Sequence, residues 1–268
     1  MEPVRSLFIG HDGREAVASE VAAHSIVNRT DSDVRIIFLK HRELRKDGYF
    51  ARPWLVDGPT GNFSDLIDGR PFSTEFSHTR FLVPALMGYK GWALFLDADM
   101  IFLSDVEDLF KLCNNKYAAM VVKHNHVVKS GSIKMDNREQ LAYNRKNWSS
   151  FVLWNCGHPA NKTLTPEKVN FMKGSDLHNF TWLTDSQIGS LPFTYNYISG
   201  VSPPLTEAKN HLPDVIHYTE GGPWFENCQD VPYAKLWLDE YEDYQRNRGD
   251  FFVCDVPTLK HDLKEIIR

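Results

Sequence analysis

In the stretch WALFLDADMIFLSD two apolar runs are interrupted by Asp97 and Asp99. An uncompensated buried polar group costs roughly 2–7 kcal/mol and an isolated charge more, so carboxylates closing a run that reads as a buried strand need a partner. A divalent cation is one such partner. Oxygen ligation favours magnesium or manganese, which keep positions open for water and substrate phosphates, and the small Ala98 lets both carboxylates turn toward one ion. Aspartate pairs also occur in ordinary turns, so the triplet does not decide by itself. Near the C-terminus, DVIHYTEGGPWFE repeats the arrangement. An apolar strand ends at His217, followed by Gly221, Gly222 and Pro223, a turn whose backbone N–H groups can hold anionic oxygens. A single histidine at a strand end is equally a hydrogen-bonded core residue. Taken together, Asp97, Asp99 and His217 make a ligand set for Mn2+ (or Mg2+) with room for a diphosphate.

The elements that must position these residues read as α/β. SLFIG is a short apolar strand, REAVASEVAAHSIVNR carries helical spacing, and VRIIFL is a second strand, the order of a right-handed parallel β-α-β unit. Lys40 to Arg70 is a polar irregular stretch, FSTEFSHTRFLVPALMGY reads as helix until Pro84 and Gly88, and WALFL is a central strand. Ser104 is the expected N-cap of SDVEDLFKL, with Glu107 at capping-box spacing. Further strands are expected at YAAMVV, SFVLWN, YNYIS and VIHY. Helices are expected at Pro166 to Met172, at Asp185 to Leu191 and in VPYAKLWLDEYEDYQR. The prediction is one domain over residues 1–268 with a mainly parallel central sheet flanked by helices and a helical extension from about 230.

Composition narrows the function. A chain of 268 residues with 42% hydrophobic and 24% charged content is an ordered globular protein. Its net charge of −5 gives no footprint for nucleic acid. No apolar run reaches the ~18–20 residues of a membrane span, and MEPVRSLFIG lacks a signal pattern. The chain is therefore expected to be soluble and cytoplasmic, its four scattered cysteines reduced and its five Asn-x-Ser/Thr sequons unused. Residues 123 to 148 form a locally basic stretch with Lys123, Lys129, Lys134, Arg138, Arg145 and Lys146, either a binding loop or a solvated insertion. His124 and His126 within it read as solvent-facing or acceptor-contacting.

Six ordered motifs carry a family resemblance: FIGHDGREAVA, SHTRFLVPAL, LFLDADMIFLSDVEDLF, SSFVLWNCGH, WLTDSQIGSLP and IHYTEGGPWF. Together they resemble the nucleotide-sugar glycosyltransferases of the GT-A fold, most closely the glycogenin-like retaining family that includes lipopolysaccharide galactosyltransferases. The resemblance implies a Rossmann-like α/β domain that moves a hexose from a nucleotide sugar, UDP-linked, to a saccharide or glycoconjugate hydroxyl. It implies metal ligation by Asp97, Asp99 and His217, with the Asp97–Ala98 segment against the donor ribose. Uridine binding falls to His11 and Asp12, and a donor contact to Arg80. Asn155 takes the asparagine of the family's F-N-x-G motif, Asp185 and Gln187 its D-Q pair at the anomeric carbon, and Gly222 the diphosphate turn. Trp182 and Trp224 are the expected acceptor contacts, while Trp148, Trp154 and Tyr195 read as core.

Two departures stand out. Ser186 separates the Asp and Gln that the family places side by side, and Gly222 replaces a lysine that clasps the diphosphate. Two other readings therefore stay open: a non-catalytic sugar- or partner-binding relative, and a sugar nucleotidyltransferase, for which GHDGREA is poor in the glycines and basic residues of a phosphate loop.

Overall fold

A computed structural model describes residues 4–56, 58, 63–124, 145, 147–205, 212–247 and 253–254. Most of the basic stretch, with Lys129, Lys134, Arg138, Lys146 and His126, lies outside the described residues, as does 255–268.

The chain opens with strand β1 (Arg5–Gly10), helix α1 (Ala16–Val27) and strand β2 (Val34–Leu39), then α2 (His41–Lys46) and three short strands, β3 (Trp54–Val56), β4 (Phe63–Asp65) and β5 (Pro71–Phe72). Helix α3 (Val83–Leu86) leads to β6 (Trp92–Leu96), β7 (Met100–Phe102), α4 (Val106–Phe110), β8 (Ala119–Val121) and β9 (Phe151–Asn155). After α5 (Pro166–Phe171) and α6 (Gly174–His178) come β10 (Ile188–Ser190), β11 (Tyr197–Ile198), β12 (Val215–His217), α7 (Ala234–Arg246) and β13 (Val253–Cys254).

Among the described residues, seven strands form the main sheet in the order β10-β8-β9-β6-β1-β2-β13. Alternation sorts its side chains. Phe8 and Phe95 pack on one face, and Leu7, Ile9, Leu94 and Leu96 on the other, so both faces are buried, as continuous apolar strands require. Six strands run the same way; β9 alone is antiparallel to its neighbours β6 and β8. A second sheet, β11-β12-β7, begins where the chain leaves β6 through Asp97-Ala98-Asp99. Helix α1 packs against β7 and α7, donating no cap of its own but offering Ser25 Oγ to the Phe102 N–H at 2.9 Å.

Several expectations are corrected. The stretch from Phe72 is not one helix: it bends through residue 78, makes a 3₁₀ turn at Thr79–Leu82, and Pro84 opens α3 instead of ending a helix, because its missing N–H falls in the first turn. The Lys40–Arg70 stretch holds α2 and the strands β3 and β4, which β5 just beyond it completes into a small sheet. Asp105, not Ser104, caps α4, accepting from Glu107 N at 2.9 Å. The expected helix from Asp185 to Leu191 is a 3₁₀ turn followed by β10, since Gly189 is a poor helix former and Ile188 buries by pairing beside Ala119 on β8.

Candidate metal centre

The two aspartates and the histidine meet because of strand register. β6 ends at Leu96, and β7 starts at Met100, which pairs antiparallel with His217 on β12. Tyr218 N donates to Asp99 O at 2.9 Å, closing the corner. One ligand atom each from Asp97, Asp99 and His217 lies within 4.8 Å of the others. His217 is 1% exposed; its Nε2 has no hydrogen-bond partner among the described residues and lies 3.3 Å from Asp99 Oδ1. Two carboxylates and a bare imidazole nitrogen pointing at one spot fit a divalent cation.

Electrostatics agree. Burial, opposed by Arg80 and reinforced by Asp99, pushes the Asp97 carboxyl up to about 7. Glu15, a neighbour the sequence reading missed, is pushed up to about 8 by burial and then by Asp99, Asp12 and Asp97. So many acids in one place hold their charge only against added positive charge. Arg80 supplies part of it. Its Nη1 lies 2.8 Å from Asp97 Oδ1 and 2.9 Å from Ser149 O, with the guanidinium over the Phe95 ring. Arg80, 5% exposed, is thus a counter-charge to Asp97.

Of the two residues expected to hold uridine, His11 is half-buried beside Phe38, and burial, then Lys40, lowers its pKa. Asp12 is fully buried and committed internally. Its oxygens accept from Arg14 N, Nε and Nη2 and from Glu75 N, tying the loop after β1 to the segment before Arg80. Burial alone would raise the Asp12 carboxyl; the Arg14 hydrogen bonds outweigh it and hold the group below its usual value. Phe76 lies flat on Gly10, where a Cβ would stand 2.4 Å from the ring, so glycine there lets this loop approach β1. Ala98 is fully buried and contributes no polar side chain.

Three expected donor-sugar residues lie elsewhere. Because β9 is antiparallel, Asn155 pairs with Trp92 at the start of β6, about five residue rises (~16 Å) from Asp97. The residues of β9's neighbourhood that do reach the cluster are Ser149 and Ser150; Asp97 N donates to Ser150 O at 2.9 Å. Gln187 sits in the same row as Asn155, since Asn155 N donates to Ala118 O and Ala118 N to Gln187 O, and three strand spacings separate β10 from β6. The Gln187 amide accepts from Thr184 N in a capping box, and Asp185, its side chain 90% exposed, pairs with Arg145. Among the described residues neither hydrogen-bonds the cluster.

At the closing turn, Gly222 is buried under Trp224, whose ring a Cβ would meet at 1.9 Å. Trp224 packs on Trp237 at 5.1 Å, and Trp182 packs among Trp154, Phe180 and Phe81. Both tryptophans expected at the acceptor are thus held in packing. The sequence reading also missed Asn196, fully buried, whose Oδ1 lies 2.8 Å from His217 Nδ1. A polar residue between the aromatics of TYNYIS was the available signal, because a buried amide in such a run must be hydrogen-bonded.

Among curated proteins the chain is 43% identical over 240 residues to Protein CDI of Arabidopsis thaliana, spanning 90% of this chain and 87% of that protein. No family model matches the chain. Among solved structures, it aligns with the bifunctional glycosyltransferase WbbM at TM-score 0.59 and 15% identity, covering 90% of this chain and half of that one (50%). GlyE of Streptococcus pneumoniae TIGR4 aligns at 0.56 and 17%, covering 98% of this chain and 64% of GlyE. The galactosyltransferase LgtC, solved with donor and acceptor sugar analogs, aligns at 0.54 and 12% over 92% of this chain and all of LgtC (100%). The fold is that of the GT-A glycosyltransferases.

Proposed function

We propose, from the premise that this chain belongs to the family of Arabidopsis thaliana Protein CDI and has the GT-A fold, that it is a metal-dependent glycosyltransferase. In this reading it moves a hexose from a nucleotide sugar, UDP-linked, to a hydroxyl of a saccharide or glycoconjugate. The observation that carries it is the convergence of Asp97, Asp99 and His217 within 4.8 Å at the carboxyl edge of the main sheet, where open α/β sheets bind ligands. Manganese or magnesium held there would neutralise the diphosphate as it leaves the anomeric carbon.

The chain's own residues do the rest. Arg80 opposes the burial that raises Asp97 and aims its carboxylate. His11, neutral, stands in the loop after β1, where a base would lie, and Asp12 holds that loop in shape. Retention of the anomeric configuration is the outcome the resemblance favours, with the acceptor hydroxyl entering on the leaving-group face and passing its proton to a phosphate oxygen. Asp185 and Gln187 take no part at the cluster in this scheme. The single domain, and a cytoplasmic location, belong to the same reading; no helix among the described residues is long and apolar enough to cross a membrane, and Cys113, Cys156 and Cys228 are free thiols.

The remoteness of Asn155, Asp185 and Gln187 favours one alternative, a relative that binds a nucleotide sugar without transferring it. A panel of nucleotide sugars incubated with the protein and manganese separates them. Slow metal-dependent hydrolysis of one donor is expected, and donor binding with no turnover on any sugar or acceptor would establish the alternative.

A further inference from the structure

Four hydrogen bonds around Asn196 form a closed buried circuit. Asn196 Oδ1 lies 2.8 Å from His217 Nδ1, and its Nδ2 lies 3.0 Å from Ser150 Oγ and 3.3 Å from Asn147 O. Ser150 Oγ donates to Asn147 O at 2.7 Å, leaving its lone pairs for the amide. Asn147, in the left-handed region at φ 63, aims that carbonyl inward. A carbonyl can only accept. The amide edge facing Asn147 must therefore be the NH₂, and the edge facing His217 must be the oxygen. An acceptor opposite Nδ1 forces the imidazole to carry its proton on Nδ1, which leaves the lone pair on Nε2, the nitrogen 3.3 Å from Asp99 Oδ1. Ser150 closes the loop from the other side, because its carbonyl receives the Asp97 N–H at 2.9 Å.

We propose that Asn196 is the positioning residue of this centre: it fixes the His217 tautomer with Nε2 bare and, through Ser150, fastens the strand bearing His217 to the strand end bearing Asp97. This rests on the metal reading given above, and its consequences reach beyond it. Outer partners of metal-binding histidines are typically worth 10–100-fold in metal affinity.

Two measurements test it. The first is ¹⁵N NMR of the histidine-labelled, metal-free full chain, which reads the His217 tautomer directly. A proton on Nδ1 is expected; a neutral ring with Nδ1 bare and its proton on Nε2 overturns the proposal, whether or not any metal binds. The second is Mn2+ titration followed by electron paramagnetic resonance. Asn196→Leu, close to isosteric but without an acceptor, is expected to bind about 10–100-fold more weakly than the wild type. Asn196→Asp, which keeps an acceptor against Nδ1 but loses the NH₂ that meets Asn147 O and Ser150, is expected to recover only part of that loss. Wild-type affinity in a folded Asn196→Leu variant overturns the positioning role. A wild type that binds no Mn2+ at all overturns the metal reading, and the tautomer measurement then still decides what Asn196 does.

Discussion

At the carboxyl edge of the main sheet Arg80 meets Asp97 with 7% and 15% of their side chains exposed, whereas at the amino edge Arg145 meets an Asp185 side chain that is 90% exposed. The first pair is locked into backbone carbonyls, aromatic faces and a cluster of acids. In the second, Arg145 also donates to a backbone carbonyl, Asn179 O, and lies over the Trp148 ring, but its carboxylate partner stands in solvent on a short capped turn, with no other acid beside it among the described residues. The same two residue types thus make a preorganised centre in one place and an ordinary surface contact in the other. What separates them is burial and convergence, not motif membership.

The comparison can be broken in order of expected effect. Asp99→Asn should lower Mn2+ affinity and any donor turnover by more than about 100-fold, beyond the range of outer-partner losses, with an unchanged circular dichroism spectrum. Unaltered metal binding in that variant would dissolve the centre. Arg80→Ala strips a buried carboxylate of its partner and should cost about 3–5 kcal/mol in chemical denaturation. Removing the exposed partner of the other pair, Asp185→Ala, should cost less than about 1 kcal/mol in the same denaturation; equal losses would erase the distinction between the edges. Gly222→Lys restores the family's lysine but drives the Trp224 ring from its place, and overpacking of this kind should destabilise by about 1–3 kcal/mol on thermal melting. Asp185→Ala should leave metal affinity and turnover within about threefold of wild type, an effect below 1 kcal/mol. A hundredfold fall in turnover at constant metal affinity would return Asp185 to the chemistry.

Much of the scaffold was legible because burial writes itself into composition. LFI, IIFL and ALFL are continuous apolar runs, and they became β1, β2 and β6. The acid–histidine set was legible for a related reason, since charges at the ends of such runs need an explanation. Strand direction left no comparable mark. FVLWN reads the same whether it runs up or down the sheet, and its antiparallel course carries Asn155 to the wrong end and brings Ser149 and Ser150 to the right one. The stretch TYNYIS hides its function similarly: Asn196 matters because the fold sets Asn147 O and His217 Nδ1 on either side of its amide, a pairing separated by 49 and 21 positions in sequence. The 185–191 segment was misread because a three-residue strand is too short for any period to declare itself.

The strand at Val253–Cys254 is two residues long, yet it is the last rung beside β2 in the sheet. Without it β2 would present its outer amides and carbonyls bare, a template on which a second molecule could add its own strand. A chain ended at residue 247 should therefore keep its metal ligands and gain a new strand-pairing edge, read in size-exclusion chromatography as association that grows with concentration beyond that of the full chain.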